Sequence, residues 1–304
     1  MTGAGILVLD KTAGVTSFDA VALVRRRLGL ERVGHAGTLD PDATGVLPML
    51  LGEATKLMLY LADQDKEYVA ELRLGVTTDT GDLSGAVLAT AMVPALSREQ
   101  VQEACRPFVG RIKQVPPMYS AVHHGGRRLY ELAREGVEVA RDPREVVVHA
   151  IDVEDVGSGT AGIRVVCGKG TYVRTLAVDI GAALGCGAAI ARLTRTRVGP
   201  FALAGAVSWA ALAEETTAAL WARVWPAEAA LAGWPVVRLD AGAAARFAHG
   251  QPVTVAPSVG PGTRVRVHDA DGRLLGVGEV IDGQRTRPVR MLHADRPGTR
   301  VLPA

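Results

Sequence analysis

Gly34-His35-Ala36-Gly37-Thr38-Leu39-Asp40-Pro41-Asp42-Ala43-Thr44-Gly45, running on to Glu53-Ala54-Thr55-Lys56, is the stretch on which the reading of this chain turns. Three glycines and several small residues in a dozen positions leave the backbone bare, so a flat ligand can come close to it. Asp40 sits in the middle, followed by a proline that fixes the local backbone and carries no N–H. That combination suits a rigid loop presenting one reactive oxygen. Composition alone favours a glycine-rich turn with a surface aspartate. A phosphate cradle fits less well, because Gly37 to Gly45 lacks both the Gly-Lys-Ser/Thr ending and the dinucleotide glycine spacing.

Around this stretch the chain has 304 residues, enough for a substantial core in one large domain or two. An apolar fraction of 48% with 22% charged residues is that of an ordinary soluble globular protein. No apolar run reaches the length of a membrane span, and no basic-then-apolar secretory signal opens the chain, so a cytoplasmic protein is expected. Cys105, Cys167 and Cys186 are far apart and lack CxxC or Cys/His spacing, which predicts reduced, buried thiols and no metal. His123-His124 reads as a solvated turn. The formal charge of +2 says nothing about nucleic acid. Arginine greatly outnumbers lysine, however, and clusters at Arg25-Arg26-Arg27, Arg127-Arg128 and Arg192, Arg195 and Arg197 suit forked contacts to phosphate.

Periodicity supplies a coarse element order. Ile6 to Leu9 predicts a strand leading to Asp10-Lys11 and a turn at Gly14. Thr16-x-x-Asp19 predicts a capping box for a helix that Gly29 stops, with the three arginines late in it, where the helix dipole favours cations. Val46 to Leu61 reads as partly helical despite Pro48. Lys66 to Leu74 alternates as a strand, with Tyr68, Ala70, Leu72 and Leu74 on one face. Ser97 to Phe108 predicts a capped helix, and Gly125-Gly126 a turn before a helix from about Arg127 to Gly136. Strands over Val146 to Val156 and Gly162 to Cys167 precede a glycine turn and a helix to Leu184, a connection that can offer backbone N–H groups to an anion or simply be tight. Ser208 to Ala232 is alanine-rich and helical, broken at Pro226. A boundary is placed near Trp234-Pro235, giving domains 1–233 and 234–304. In the last 70 residues short β-prone pieces, Arg264 to Val267 and Leu274 to Val280, alternate with turns. Ten arginines against six acids give that tail a charge of +4.

The order GHAGTLDP, ATG and GEATK resembles the signature of the bacterial TruB-type tRNA pseudouridine synthases, which modify uridine 55 in the T-loop. The resemblance recurs in DKTAG around Lys11 (Thr12 standing where the family usually has proline), in DKEYVAELRLGVTTDTGD, in PPMYSAVHHGGRRLYELAREG, in KGTYVRT and in ARLTR. It implies an α+β fold, with a mixed, largely antiparallel sheet, flanking helices and a small β-rich PUA-like appendage. It also implies that Asp40 is the nucleophile, that Tyr68 and Tyr172 pack on the target base, that Arg174 partners the nucleophilic carboxylate and that Leu193 lines the uracil pocket. His35 is implied to wedge into the loop from which the base is drawn, and Lys11 to belong to the substrate site. The implied partner is the T-arm of tRNA, met by a monomer without cofactor, metal or membrane.

The chemistry is consistent with one carboxylate. The N1–C1′ bond breaks, the uracil rotates and C5 joins C1′, with no redox step or energy source. Retaining glycosidases need a second carboxyl group as acid for a poor leaving group. Uracil leaves as a delocalised anion and stays in the pocket, so one carboxylate suffices. A neighbouring guanidinium would keep that carboxylate ionised and aimed. Two other readings stay open at this point: an RNA-folding protein that grips the tRNA elbow, and a related enzyme acting on another RNA.

Overall fold

A computed structural model describes residues 4–255 and 259–292. The ends of the expected 1–233 and 234–304 domains, 1–3 and 293–304, therefore lie outside the described residues. Two compact units are present: one takes Met1–Pro41, Val46–Ala62 and Gly199–Ala304, the other Asp42–Gly45 and Asp63–Val198.

The second unit is built on an antiparallel sheet in the order Ala188–Val198, Lys66–Leu74, Thr160–Cys167, Arg144–Gly157, Gly110–Gln114. In Lys66–Leu74 the predicted alternation holds: Tyr68, Ala70, Leu72 and Leu74 are buried while Arg73 is exposed. Helix Val173–Ala183 packs on this sheet. Its buried Val173, Leu176, Ala177 and Ile180 recur at helical spacing, so one stripe meets the sheet. The Val173, Leu176 and Ile180 side chains each contribute about 1.5–3 kcal/mol of burial. Helix Arg98–Cys105 has the expected Ser97/Gln100 capping box and continues as one 3-10 turn, Arg106–Phe108. Thr44 and Gly45 run parallel to Thr194 and Arg195, with the two threonine hydroxyls 2.8 Å apart. The hairpin His123–His124/Arg127–Arg128 turns at Gly125-Gly126, and both histidines are exposed. Its second strand takes up the residues expected to open a helix, so helix Leu129–Arg134 starts two residues later.

In the first unit, strand Gly5–Lys11 is parallel to Val207–Ser208 and bridges Trp225 at Ile6. Helix Ser17–Leu28 carries the predicted Thr16/Asp19 capping box and ends on Gly29 at φ 63°. Arg27 donates to the carbonyls of Leu212 and Glu215, so this arginine fastens the helix Trp209–Glu214. The expectation that Val46 to Leu61 is partly helical holds in its second part, where Gly52–Leu57 is a 3-10 helix and Met58–Ala62 α-helix, while the part around Pro48 belongs to the strand Thr44–Leu51. Gly45 to Leu51 are all buried. A strand buried on both faces shows no period of two, and that removed the signal. Val33–His35 pairs antiparallel with it, His35 opposite Met49. The alanine-rich segment forms two short helices, Trp209–Glu214 and Thr217–Ala222, and a 3-10 turn after Pro226, Ala227–Leu231.

The C-terminal part forms its own five-stranded sheet, in the order Val236–Arg238, Arg264–His268, Leu274–Asp282, Arg285–Met291, Val253–Thr254. Helix Ala241–Ala248 closes a core of Val237, Leu239, Phe247, Val265, Val267 and Val280. The Tyr60 ring meets Trp234 edge-on at 5.3 Å and lies under the Arg264 guanidinium at 5.4 Å, while Lys56 Nζ donates to Met291 O. All three cysteines are free and buried, and burial pushes the Cys105 and Cys167 thiols up to about 11. Among the described residues no helix is long and apolar enough to cross a membrane, and no group of three or more His, Cys, Asp or Glu gathers as metal ligands would.

Candidate active site

Asp40 is half-buried on a loop fastened on both sides of it. On one side, Leu39 exchanges two hydrogen bonds with Ser17: its N–H donates to Ser17 Oγ at 2.9 Å, and Oγ donates to its carbonyl at 3.1 Å. Beyond Asp40, the Pro41 carbonyl accepts from Lys11 Nζ at 2.8 Å and from Gly14 N–H at 3.0 Å. Lys11 has no exposed surface, and its ammonium also donates to the carbonyls of Thr12 and Val15 at 2.8 Å each. The turn forms with Thr12 where a proline was expected, and Gly14 holds φ 80° there. Further back, Ala36 N–H donates to Pro48 O, and Gly37 takes φ 91°, where a side chain would strain the chain. Lys11 thus acts on the backbone of the loop from inside the core, and His35 is half-buried at the loop's other end.

The second unit gathers the other expected residues. Tyr68 is 9% exposed and stands opposite Arg195, while Leu193 stands opposite Ala70 on the next strand. Directly opposed residues of antiparallel strands share a face, so Tyr68, Leu193 and Arg195 line the same one. Tyr172 caps helix Val173–Ala183 and has its backbone bonded on both sides by the Gln114 amide, N–H to Oε1 at 3.0 Å and Nε2 to O at 3.3 Å. Arg174 is 5% exposed, in the first turn of that helix. Its Nη1 donates to Thr80 O at 2.8 Å and its Nη2 to Tyr119 O at 2.7 Å. Asp82 Oδ2 lies 3.8 Å from its Nε, and Asp82 Oδ1 accepts from Thr80 Oγ1 and Ser84. A guanidinium held at this many points has little freedom to re-aim.

Several of these groups carry no sequence signal strong enough to single them out. Asp82, Thr80 and Tyr119 reach Arg174, two of them through backbone carbonyls that no side-chain pattern records. Gln114 stands before a proline pair with nothing to mark it. Arg195 belongs to a cluster that suggested phosphate contact, yet it is only 1% exposed, and of that cluster only Arg192 is exposed. Beside Arg195, Lys66 is also buried, donates to Gln64 O at 2.6 Å, and is brought down to about 8 by burial and by the Arg195 charge. At the surface, Arg127 pairs with Glu135, while Arg128 and Arg134 lie over the Tyr130 ring at 5.9 and 5.5 Å.

The loop of the first unit presents the Asp40 carboxylate, and a sheet face of the second carries an aromatic, a leucine and a buried arginine. Solved structures share the fold. A Cbf5–Nop10–Gar1 complex aligns with a TM-score of 0.73 and 27% identity over 96% of this chain and 84% of that one. An H/ACA RNP bound to a substrate RNA containing 2′-deoxyuridine gives 0.72 and 25%, over 95% and 85%. The chain belongs to the TruB family of pseudouridylate synthases: the family's N-terminal domain matches residues 25–173, the tRNA pseudouridylate synthase B C-terminal domain residues 174–232, and the pseudouridine synthase II TruB C-terminal domain residues 235–292. Its relatives include tRNA pseudouridine synthase B of Dechloromonas aromatica, 48% identical over 95% of both chains. Another is that of Pseudomonas aeruginosa, 46% identical over 95% of this chain and 96% of the relative. The α+β pseudouridine synthase fold with a PUA-like C-terminal domain is therefore the fold of this chain.

Proposed function

We propose that this chain converts uridine 55 in the T-loop of tRNA to pseudouridine, with Asp40 as the nucleophile. Isomerisation of uridine in tRNA is the activity of the family; the position and the residue roles are our reading. The observation that carries it is the double fastening of the Asp40 loop, by Ser17 before the aspartate and by Lys11 after it. A carboxylate held this way meets a sugar carbon without first losing conformational freedom.

In this reading Asp40 attacks the sugar or stabilises its cation as N1–C1′ breaks. The uracil anion turns in place, C5 bonds to C1′ as any Asp40–C1′ bond breaks and frees the carboxylate, the C5 proton leaves and N1 regains one. Arg174 keeps the carboxylate ionised and aimed; its own anchoring to Thr80, Tyr119 and Asp82 supports such a role. Tyr68 stacks on the uracil, Leu193 fills its edge and Tyr172 packs beside it. The target base must first leave its stack, at about a few kcal/mol, and His35 occupies the space it leaves. Residues 234–304 act as an RNA-binding domain, and the protein works as a cytoplasmic monomer without cofactor or metal.

Asp40→Asn is the test. Mass spectrometry of an unmodified tRNA transcript should show complete loss of pseudouridine, with T-arm binding kept within about threefold, since carboxamide and carboxylate are near-isosteric. Turnover surviving in the Asn variant would dismiss the nucleophile. Loss of a pseudouridine at some other position, in RNA from a deletion strain, would dismiss the substrate.

A further inference from the structure

The segment Gln114-Val115-Pro116-Pro117-Met118-Tyr119 touches the start of helix Val173–Ala183 twice, and the reaction chemistry uses none of its side chains. Gln114 ends the strand Gly110–Gln114 and is 2% exposed. Its amide meets the backbone of Tyr172, 58 residues on, as another strand's peptide would: Oε1 accepts from the Tyr172 N–H and Nε2 donates to the Tyr172 carbonyl. A buried glutamine with both ends of its amide used in one place is a satisfied network, not a filler. Tyr172 is the N-cap of its helix and has no side-chain cap of its own. The Tyr172 N–H is therefore satisfied from outside the helix, and the Gln114 amide pins the backbone at the residue from which the helix starts. Five residues later the Tyr119 carbonyl takes Nη2 of Arg174. Two prolines between these contacts limit how far one can move without the other.

We propose that Gln114 is a positioning residue for the isomerisation: through the Tyr172 backbone it fixes the phase of the helix's first turn, and with it the directions of the Tyr172 ring and the Arg174 guanidinium. It touches neither the base nor the sugar. This rests on the reading above, in which Tyr172 and Arg174 serve the uridine. A structural glutamine would protect folding alone, whereas a positioning glutamine protects the rate of the chemical step.

Single-turnover pseudouridine formation on full-length unmodified tRNA at saturating enzyme separates the two, because its rate constant reports alignment and does not depend on how much of the enzyme is folded, while its amplitude falls only if folded enzyme drops below the tRNA present. Gln114→Met keeps the volume and removes both hydrogen bonds. It should lower the rate constant about 10- to 100-fold at full amplitude, the penalty expected for a misplacement on the order of 1 Å, with T-arm affinity within about threefold. Gln114→Glu retains the acceptor for the Tyr172 N–H and loses the donor, and should fall between wild type and Gln114→Met. It also carries the test should the methionine variant fail to fold. A wild-type rate constant in either folded variant, with any loss confined to amplitude or melting temperature, overturns the proposal. Asp40→Asn run alongside keeps the two readings apart. If that control is inactive while the Gln114 variants are normal, only the positioning role falls. If the control is active, the site reading falls.

Discussion

Gly45→Ala tests the junction at which the Asp40 stretch passes into its strand. Gly45 sits at φ 100°, and an added Cβ would lie 2.2 Å from the Arg195 carbonyl oxygen and 3.0 Å from its carbon and nitrogen. Ordinary contact begins near 3.4 Å, so the oxygen is about 1.2 Å too close, and the neighbour is backbone that cannot rotate away. The positive φ alone costs an alanine about 1–2 kcal/mol. Parting the strands also endangers the parallel pairing of Thr44-Gly45 with Thr194-Arg195 and the Thr44–Thr194 hydroxyl bond, two to three interactions at about 1 kcal/mol each. The sum is roughly 3–5 kcal/mol, which at about 2–4 °C per kcal/mol lowers the melting midpoint by about 6–20 °C. Thermal circular dichroism gives the midpoint, and hydrogen exchange should show lost protection around residues 193–196. Because Arg195 stands opposite Tyr68, the single-turnover rate should fall as well. A midpoint within about 2 °C of wild type, with unchanged exchange, would refute the steric argument.

Lys66 gives a pH prediction. Its proton leaves the folded protein near 8 and the unfolded chain near 10.5, so between those values the unfolded state holds the extra proton and stability rises with pH. Below that window the buried charge costs about 3 kcal/mol. Lys66→Met should add about 1–2 kcal/mol at pH 7 once the lost bond to Gln64 is offset, and urea midpoints at pH 7 and 9.5 should lose this component of the rise; an unchanged difference between them refutes it. Lys11→Met removes three ammonium–carbonyl bonds beneath the Asp40 loop. Urea unfolding should show about 2–3 kcal/mol less stability, Thr12 being exposed enough for water to replace one bond, together with slower single-turnover kinetics; wild-type values in both would show that the loop does not need its tether. T-arm affinity should fall steeply between about 50 and 200 mM salt, and Arg128→Ala should reduce the slope by about one counterion. Arg27→Ala should leave that slope unchanged because its guanidinium is bonded to Leu212 and Glu215; a flat salt response would remove the arginines from the RNA face.

The residues to which the proposed reaction gives a role by type were the legible ones. Asp40, Tyr68, Arg174 and Leu193 sit in motifs long enough to recognise, and the Lys66–Leu74 alternation and both capping boxes follow from local rules that packing did not override. Thr44–Leu51 was not read as a strand because burial on both faces erases the alternation by which a strand is known. Helix Leu129–Arg134 was started too early because the pairing of Arg127-Arg128 with His123-His124 is a non-local contact. The anchoring of Arg174 and Tyr172 was invisible for a similar reason: it runs through carbonyls, and through one glutamine whose partner is 58 residues away. Arginine clustering misled at Arg27 and Arg195, since count and spacing do not tell an exposed guanidinium from one bonded inside.

The route of the chain has a consequence for its synthesis. Ile6 exchanges two backbone bonds with Trp225, and Leu9 pairs with Val207, whereas the sheet within Asp63–Val198 takes its strands from that segment. The strand Gly5–Lys11 therefore has no complete neighbourhood until about 200 residues later, on the order of 10–40 s at ordinary translation speeds. During that interval the middle of the chain can complete its sheet, whereas Gly5–Lys11 has Thr44–Leu51 on one side and no strand on the other. Pulse proteolysis of stalled nascent chains should find Asp63–Val198 protected before Gly5–Lys11, and the reverse order would contradict this. Until then Ile6-Leu7-Val8-Leu9 is an apolar run without its Val207 and Trp225 partners, the kind of segment a chaperone shields.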